Sequence, residues 1–390
     1  MNILQVHNYY DRSSPSGENI VVDMERDLLR KAGHQVAGIY LYNDEVNKLS
    51  TFKKLRYANN WLGFGAINQN FKELVRNYNP DIVHIHNTFP FLGANVLDTI
   101  QDIPSVFTVH NYRLSCINGL KLRNGVVCNH CDSKSANILM PTLNKCYRNS
   151  AAHSLFASYG LSRLRGKKYF SKINHFIALT EFQKRYLVDL GVPNRHITVK
   201  PNAYHGNYSN NYNKDSRTVL FVGRLSQEKG ILNLISAWKQ LNISDWKLKI
   251  IGSGPLSEKM NELENEPNIK VCGKLSHEAV MLAVSKASFI VVPSLWYEGY
   301  PMVIREAIAR GIPSLVSEIG STASAVTSKI ALKFNPTDPH DFTKKLSYMI
   351  NNSEQRHYLS KQTKEYFDNF LESEKNTSKL QQIYKALVNG

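Results

Sequence analysis

The sequence lacks several features that mark other classes of protein. No apolar run reaches the ~18 residues that a membrane-spanning helix needs. The chain has no basic and apolar leader, because Asn2 to Val6 already has the pattern of a strand. No Asp-x-Asp pair ends a predicted strand, so we expect no catalytic divalent metal. These absences predict a cytoplasmic protein, either free or peripheral on the inner face of the cytoplasmic membrane.

The glycine pattern of a nicotinamide-dependent dehydrogenase is also missing. Such an enzyme needs Gly-x-Gly-x-x-Gly directly after the first strand of a βαβ unit. The nearest stretch, Ile251 to Pro255, has two glycines but not the third. The sequence therefore disfavours a dehydrogenase.

Acidic residues are scarce in one long segment. The 390 residues carry a net charge of +16; residues 1–200 hold 25 basic and 14 acidic residues (+11), and the remainder holds 23 and 18 (+5). The segment from Ser133 to Thr180 has eight basic residues and no acidic one. This bias indicates an anionic partner such as a lipid surface, a lipid pyrophosphate or nucleic acid. The alternative is a basic surface that only aids solubility.

Cysteine is rare, but four of the five cysteines cluster. Cys128 and Cys131 form a Cys-x-x-Cys pair, with Cys116 and Cys146 on either side at eleven and fourteen intervening residues. Four thiolates at this spacing suit a structural, tetrahedral zinc ion. Residues 112–149 have no clear periodicity, and a metal would stabilise them. Four unlinked thiols, or two disulfides of the kind that is rare in a cytoplasm, are the alternatives. The fifth, Cys272, is assigned to the core of a strand.

The chain does contain a repeated alternation of strand and helix patterns. The predicted strands are Ile3–His7, Gln35–Leu41, Ile82–His86, Ser105–His110, Phe176–Leu179, Ile197–Val199, Val219–Val222, Lys247–Ile251, Ile269–Cys272, Phe289–Val292, Ser314–Val316 and Ala331–Phe334. The predicted helices are Glu18–Lys31, Asn68–Asn77, Phe91–Ile100, Glu181–Leu190, Ile231–Leu241 and most of the chain after Asp338. Such alternation predicts parallel sheets covered by helices on both faces, with ligands at the carboxyl ends of the strands.

The alternation is interrupted once, which suggests two domains. Residues 201–216 are rich in Asn, Tyr and Ser, have no periodicity and are predicted to be an interdomain linker. The length is also typical of two domains. We therefore predict two Rossmann-like α/β domains with parallel sheets facing a central cleft.

One stretch in the second half, Glu298 to Glu306, combines two kinds of binding group. It follows a predicted buried strand; Pro301 suits the first turn of a helix and Gly311 suits the position just past its end. Free N–H groups at a helix start bind anions. Carboxylates instead accept hydrogen bonds from hydroxyl groups. A sugar nucleotide offers both phosphates and hydroxyls.

A second stretch supports this interpretation. The predicted strand that ends at Val222 is followed by Gly223 and Arg224, then by Lys229 and Gly230 at a helix start. Arg grips phosphate oxygens with a planar fork, and Lys adds a mobile positive charge.

These two stretches resemble the phosphate-binding motif and the Glu-x7-Glu motif of the retaining GT-B glycosyltransferases of family 4. The order, spacing and strand contexts match, and the resemblance is strongest from Val219 to Glu318. It implies transfer of a hexosyl-type unit from a UDP- or GDP-linked sugar to a glycan or lipid-linked acceptor. The products would be surface polysaccharides such as lipopolysaccharide or capsule. The implied division is an acceptor-binding domain over residues 1–202 with an insertion at 112–149, a linker over 203–216, a nucleotide-sugar-binding domain over 217–370, and a helix over 371–390 that crosses back to the N-terminal domain.

The resemblance also implies roles on the donor side. Glu306 would accept the ribose hydroxyls, Glu298 would lie toward the sugar, and Arg224 and Lys229 would neutralise the diphosphate and the charge that grows on it. Pro301 stands where many members have a glycine and removes one N–H donor. The predicted donor-binding residues are Gly17, Gly223, Arg224, Lys229, Gly252, Gly254, Gly273, Lys274, Leu275, Glu298, Gly299, Tyr300, Pro301, Met302, Val303 and Glu306.

In the first half, the family places a histidine beside the sugar at the end of a strand, and His110 occupies that position. It could donate to a sugar hydroxyl or to a developing charge. Ser16, which replaces one of the family's paired glycines, His86 and Asn111 are predicted to lie on the acceptor side. The predicted catalytic residues are His110, Glu298, Arg224 and Lys229.

Two rival functions remain open. No close pair of carboxylates offers the nucleophile and the acid that double displacement needs. The resemblance implies front-face substitution with retention, which fits this absence. A nucleotide-sugar epimerase of the same fold would need paired acid and base groups. A nucleic-acid-binding protein would interleave basic and aromatic residues, but the basic run from Arg163 to Lys172 contains only Tyr169 and Phe170.

Overall fold

The structure is a computed structural model that describes residues 1–9, 16–48, 50, 59, 61–62, 66–90, 92–93, 95–132, 138–166, 171–263 and 265–390. The start of the helix predicted at Phe91 and parts of the predicted basic segment, namely residues 133–137 and 167–170, lie outside the described residues. In the described ranges, no helix is long and apolar enough to cross a bilayer.

The chain forms two compact units. The first unit comprises Met1–Lys121, Cys128–Ala203 and Asn376–Gly390, and the second comprises Leu122–Val127 and Tyr204–Lys375. Each unit contains one six-stranded parallel sheet. The expected class, two α/β domains with parallel sheets, is confirmed.

The elements of the first 203 residues include all six predicted strands, together with elements that were not predicted, the longest of them a helix at Ala151–Arg165. They are β1 (Asn2–Tyr9), α1 (Gly17–Lys31), β2 (Gln35–Tyr42), α2 (Asn43–Asn47), α3 (Ala66–Tyr78), β3 (Ile82–Ile85), α4 (Val96–Thr99), β4 (Ser105–Val109), β5 (Leu122–Arg123), β6 (Val126–Val127), α5 (Leu139–Leu143), α6 (Ala151–Arg165), β7 (His175–Ala178), α7 (Glu181–Asp189) and β8 (Ile197–Val199). The sheet order is β2-β1-β3-β4-β7-β8, and β5 and β6 form a separate antiparallel pair.

The elements after residue 203 repeat the alternation. They are β9 (Thr218–Val222), α8 (Ile231–Gln240), β10 (Lys247–Ile251), α9 (Ser257–Met260), β11 (Ile269–Val271), α10 (His277–Lys286), β12 (Phe289–Val292), α11 (Met302–Ala309), β13 (Ser314–Ser317), α12 (Gly320–Ser324), β14 (Ala331–Phe334), α13 (Pro339–Asn351), α14 (Ser353–Tyr366), a π-helical turn (Phe367–Leu371) and α15 (Ser373–Val388). The sheet order is β11-β10-β9-β12-β13-β14.

The core of the first unit joins the start of the chain to its end. One face of the sheet supplies Ile3, Val36, Ile82, Val106 and Ile177. The last helix, α15, adds Leu380 and Tyr384, both fully buried. Burial of apolar area at roughly 25 cal/mol per Å² therefore attaches α15 to this unit.

The core of the second unit lies between its sheet and flanking helices. Trp238 of α8, Phe289 of β12 and Leu346 of α13 belong to one buried apolar cluster. The residues predicted to form a linker pack on this unit: the backbone N–H of Ser209 donates to the carbonyl of Ala309 at 2.9 Å. Residues 204–216 are therefore an irregular part of the second unit rather than a free connection.

Several element boundaries differ from the predictions for local reasons. The strands that were predicted to include His86 and His110 end one residue earlier, at Ile85 and Val109. Strand β11 ends at Val271, so Cys272 follows the strand and is half-buried instead of lying in the core. The described helix near residues 91–100 is only the single turn α4.

Candidate functional site

The carboxyl end of the second unit's sheet brings a lysine and a glutamate together. The Nζ atom of Lys229 lies 2.7 Å from both Oε1 and Oε2 of Glu298, which is largely buried. The hydroxyl of Ser294 donates to the same Oε1 at 2.5 Å. Lys229 ends the short helical turn after β9, and Glu298 lies between β12 and α11. Two residues that were predicted to contact different parts of a ligand therefore form an ion pair.

The glycines after β9 and β10 let these loops pack closely. A Cβ at Gly252 would lie 1.8 Å from the carbonyl oxygen of Gly223, and one at Gly254 would lie 2.5 Å from that of Leu225. Gly230 has φ +69°, and a Cβ there would lie 1.8 Å from the carbonyl oxygen of Pro293. These close approaches are between the backbones of neighbouring loops. The side chain of Arg224, in the loop after β9, is exposed.

Helix α11 begins as its sequence predicts. Pro301 occupies the position just before Met302 and Val303, which are the first residues of the helix. The N–H groups of this first turn have no intrahelical acceptor, as in every α-helix. The helix ends at Ala309, and Gly311 follows with φ +71°. Gly299 and Tyr300 lie just before Pro301, and Tyr300 is buried.

Glu306 lies within α11 and is buried. Burial raises the pKa of Glu306, although the neighbouring Arg305 and His277 lower it. A carboxylate in this state is poorly hydrated, so hydroxyl groups of a ligand would be effective replacements for water.

The residues predicted to flank the base lie after β11. Gly273 has φ +64°, Lys274 is exposed and Leu275 is half-buried. A recess on this side of the second unit is lined by Leu225, Gly252, Ser253, Ser257, Met260, Asn261, Ile269, Lys270, Val271 and Gly273.

In the first unit, two predicted residues touch. Nδ1 of His86 lies 3.0 Å from Nε2 of His110, and both side chains are buried. Burial, followed by the charges of His86 and His7, holds the pKa of His110 well below 6.5. The neutral imidazole of His110 is therefore the form present near pH 7.

His86 and His110 line a recess at the carboxyl ends of β3 and β4. Its other lining residues are Trp61, Asn87, Thr88, Phe89, Phe107, Val109, Asn111, Arg113, Leu114, Ile117, Ala157, Leu161 and Leu164. The wall is mostly apolar, and its polar groups include the two imidazoles, the asparagines, Thr88 and Arg113. That is the usual character of a small-molecule pocket.

The other residues predicted near the acceptor lie at the start of α1. Ser16 caps this helix, its hydroxyl accepting from the N–H of Asn19 at 3.3 Å, and Gly17 is the first helical residue. The amide Nδ2 of Asn111 donates to Oε2 of Glu18 at 3.2 Å. The start of α1 and the segment after β4 therefore meet within the first unit.

Sequence reasoning missed Glu25 as part of this region. Its Oε1 lies 3.0 Å from Nδ1 of His84 and 3.3 Å from Nε2 of His86, and Lys200 Nζ lies 3.7 Å from Oε2. Burial alone would raise the pKa of Glu25, but the positive potential of His84 and His86 holds it well below 4.5. The sequence does contain a pattern that indicates a role for Glu25. Val22, Glu25 and Leu29 fall on one apolar helix face, where a carboxylate is unexpected.

Glu25, His84 and His86 also form a set of ligand-type atoms within 4.8 Å of one another. The hydroxyl of Tyr384 already lies 2.6 Å from Nδ1 of His84. The nearby ammonium of Lys200 would oppose a cation. These contacts favour a polar network over a metal centre.

The four clustered cysteines do not form such a set in the structure, although all four lie in the described ranges. Burial, and then the neighbouring sulfurs of Cys116, Cys128 and Cys146, raise the pKa of Cys131 to about 12. Cys146 packs beside the apolar cluster of Trp61 and neighbours. The four cysteines therefore share one region of the chain, and a zinc site there stays a prediction.

Two family models match the chain. The model described as Glycosyltransferase Family 4 matches residues 16–205, and the model described as Glycosyl transferases group 1 matches residues 208–366. Together they cover most of both units.

Curated relatives align at low identity. An uncharacterised glycosyltransferase of Methanocaldococcus jannaschii is 27% identical over 350 residues, which are 88% of this chain and 84% of that protein. The putative teichuronic acid biosynthesis glycosyltransferase TuaC of Bacillus subtilis is 26% identical over 264 residues, which are 64% of this chain and 56% of that protein. This second match therefore spans little more than half of its relative.

Solved structures share the fold over the full chain. Sucrose-phosphate synthase of Thermosynechococcus elongatus has a TM-score of 0.69 at 17% identity, covering 99% of this chain and 98% of that one. HepE of Anabaena, solved in complex with UDP, has a TM-score of 0.66 at 13% identity, covering 99% and 100%. The fold is the GT-B fold.

Proposed function

The chain belongs to glycosyltransferase family 4, and from that premise we propose that it moves a sugar from a nucleoside diphosphate sugar to a glycan or lipid-linked acceptor during synthesis of a surface polysaccharide. The observation that carries this proposal is the ion pair between Lys229 and Glu298 at 2.7 Å, with Glu298 in the loop just before α11 and the exposed Arg224 in the same loop as Lys229. It offers cations and free N–H groups for a diphosphate beside a carboxylate for hydroxyls. The name of TuaC supports the polysaccharide context.

The proposed donor contacts follow from the chemistry of each group. Arg224 and Lys229 bind the diphosphate and stabilise the negative charge that grows on it as the sugar leaves. Glu298, released from Lys229 when the phosphate takes that cation, accepts hydrogen bonds from sugar hydroxyls. Glu306 accepts hydrogen bonds from the ribose. UDP is supported by the complex of HepE, and GDP is the alternative base.

The proposed reaction is a front-face substitution with retention. The acceptor oxygen forms a bond to the anomeric carbon on the face from which the diphosphate departs, and the leaving phosphate oxygen takes the proton of the acceptor hydroxyl. His110, which lines the recess of the first unit, contacts a sugar hydroxyl. No catalytic metal has a role in this scheme.

The test is a transfer assay with a panel of UDP- and GDP-linked sugars, followed by NMR of the anomeric proton in the product. We expect one donor to be consumed and its anomeric configuration to be kept. An inverted product would contradict retention. Conversion of the nucleotide sugar to its epimer without transfer would instead support the epimerase interpretation.

We also propose that the first unit contacts an anionic membrane through helices α5 and α6. Leu139 and Leu143 on α5 are 66% and 67% exposed, and Leu155 and Tyr159 on α6 are 51% and 48% exposed. In each helix the two residues are four apart and so share one face. Exposed apolar groups within a segment that has no acidic residue suit insertion among anionic lipid headgroups.

Vesicle sedimentation tests this surface. Leu139→Ser with Leu143→Ser should weaken binding to phosphatidylglycerol vesicles, and salt should weaken wild-type binding because charges are screened over ~10 Å at about 0.1 M. Leu282→Ser with Tyr358→Ser, both exposed in the second unit, is the control. Equal binding to phosphatidylcholine and phosphatidylglycerol would support a basic surface that only aids solubility.

A further inference from the structure

The loop after β9 and the loop after β12 are joined by a backbone hydrogen bond within the second unit. The N–H of Leu295 donates to the carbonyl oxygen of Glu228 at 2.9 Å. The next residues along the chain are Trp296 in one loop and Lys229 in the other. The hydrogen bond therefore brings the backbones of Trp296 and Lys229 into the same neighbourhood.

The side chains of these two residues meet. Nζ of Lys229 lies over the ring of Trp296, 5.5 Å from its centroid. That is within the distance at which an aromatic face attracts a cation, and tryptophan gives the strongest attraction of this kind. The same Nζ lies 2.7 Å from each carboxylate oxygen of Glu298. The ammonium therefore contacts both a carboxylate and an aromatic face.

The indole N–H does not explain the presence of a tryptophan here. Nε1 of Trp296 is buried and has no hydrogen-bond partner among the residues that the structure describes. A buried donor without a partner costs free energy. The contact that Trp296 makes with Lys229 therefore uses the ring face, and phenylalanine can replace the indole without breaking a hydrogen bond.

Lysine has a flexible four-carbon stem, and ordering such a side chain when a ligand binds costs conformational entropy. A ring that contacts the ammonium before the ligand arrives lowers this cost. We propose that Trp296 is a positioning residue for Lys229, whose ring face holds the ammonium and keeps this contact when a nucleoside diphosphate replaces Glu298 as its partner. The diphosphate as the ligand rests on the proposed transferase function, but the contact between the ring and the ammonium does not.

Tryptophan fluorescence of the full-length protein tests the contact without any ligand. The difference between the spectra of the wild type and Trp296→Phe isolates the emission of Trp296, because both proteins share the other three tryptophans. The same difference is then measured in Lys229→Met. We expect the emission of Trp296 to change when the ammonium is absent, because indole emission responds to a nearby charge. Lys239→Met, which removes a lysine from an exposed ion pair, should leave it unchanged.

Calorimetry with UDP and GDP tests the positioning role. Trp296→Leu keeps an apolar side chain but no ring, and should weaken nucleotide affinity about 2- to 30-fold, the range of a cation–aromatic contact. Trp296→Phe should recover most of that loss. In Lys229→Met, the further change Trp296→Leu should weaken affinity by less than about twofold, since the ring acts through the ammonium. A side chain that only packs would cause the same loss with and without the lysine.

The matched control is Trp246→Phe. Trp246 lies in the same unit and also has a cation beside its ring, since Cζ of Arg356 is 5.0 Å from the ring centroid. Neither residue belongs to the proposed site, so nucleotide affinity should stay within about twofold of the wild type. If Trp296→Leu does not fold, Trp296→Met, which fills more of the space of the ring, takes its place in the cycle.

Three results would overturn the inference. The first is an emission of Trp296 that does not change in Lys229→Met. The second is an equal loss of affinity from Trp296→Leu with and without the lysine. The third is a higher affinity in Trp296→Leu, which would mean that the ring contacts the ammonium only in the free protein. If the emission changes as expected but neither UDP nor GDP binds to the wild type, the diphosphate as ligand is overturned together with the transferase proposal, and the contact between Trp296 and Lys229 stands.

Discussion

At the scale of single residues, Lys229 provides the clearest test of the proposed phosphate site. Its ammonium contacts both oxygens of a largely buried Glu298. Lys229→Met should remove a charge-assisted hydrogen bond worth ~1.5–3 kcal/mol, which is roughly a 10- to 150-fold loss of nucleoside diphosphate affinity in calorimetry. It should also destabilise the fold, because Glu298 loses its partner.

The matched control is Lys239→Met. Lys239 also pairs with a glutamate, Glu266, but at an exposed site on α8. Such surface pairs contribute about 0–1 kcal/mol, so stability and nucleotide affinity should barely change. Wild-type affinity in Lys229→Met would remove the lysine from the phosphate site.

Substitution of Glu306 should change the stability of the protein and its affinity for nucleotide in opposite directions. Its pKa is raised above the usual 4.5 by burial, so the folded state holds a proton more tightly than the unfolded state. Ionised Glu306 therefore lowers the free energy of unfolding at pH values above its folded-state pKa. This loss of stability disappears as the pH falls to about 4.5. Glu306→Gln should raise the melting temperature at pH 7 but not at pH 4.

The same substitution should weaken nucleotide binding, because a neutral amide accepts ribose hydroxyls less strongly than a carboxylate. A variant that is both more stable and poorer at binding is a sign of a functional buried charge. Unchanged calorimetric affinity for UDP and GDP in Glu306→Gln would contradict the ribose role.

At the scale of secondary structure, the last helix belongs to the core of the first unit. Leu380 is fully buried against β-strand residues near the N-terminus. Leu380→Ala should lower the free energy of unfolding by about 2–5 kcal/mol in urea titrations, from lost burial and the cavity that remains. Val388→Ala, at a position that is 38% exposed near the end of the same helix, should cost far less. Equal effects would show that α15 is not packed as described.

The cysteine segment gives a second test at this scale. A four-thiolate zinc site has bonds of about 2.3 Å and therefore sulfurs roughly 3.8 Å apart. The sulfur atoms of the four described cysteines do not form a set at such distances. Zinc binding would therefore require residues 112–149 to move so that the sulfur atoms come closer. The sequence predicts that the purified protein contains about one equivalent of zinc by elemental analysis. In Cys128→Ser the zinc content should fall, and residues 112–149 should be cleaved faster by protease. Metal-free protein with four titratable thiols would reject it.

The elements that could be predicted are those with local causes. Strand β12 is a short β-branched run, and α11 has Pro301 before it and Gly311 after it. The contacts that could not be predicted join residues far apart in sequence. Lys229 and Glu298 are 69 residues apart, and His84 and Tyr384 are 300 apart. Such pairs depend on strand order and on how helices pack, which periodicity within a short window does not encode.

At the scale of the molecule, the charge of +16 leaves a choice between a nucleotide and a nucleic acid as the anionic ligand. The proposed site has two cations in one short loop, Arg224 and Lys229, and this suits a diphosphate. A nucleic acid would need cations spread over a longer surface.

Ligand-dependent unfolding decides between them. Three of the four tryptophans, Trp238, Trp246 and Trp296, lie in the second unit, so fluorescence mainly reports its unfolding. Free UDP or GDP at about 100 times its Kd should stabilise this unit by ~2.7 kcal/mol. The double variant Arg224→Ala, Lys229→Met should lose most of that shift, whereas Lys239→Met should keep it. A salt-sensitive shift with an oligonucleotide, and none with either nucleotide, would instead show that the positive charge of this protein serves nucleic-acid binding.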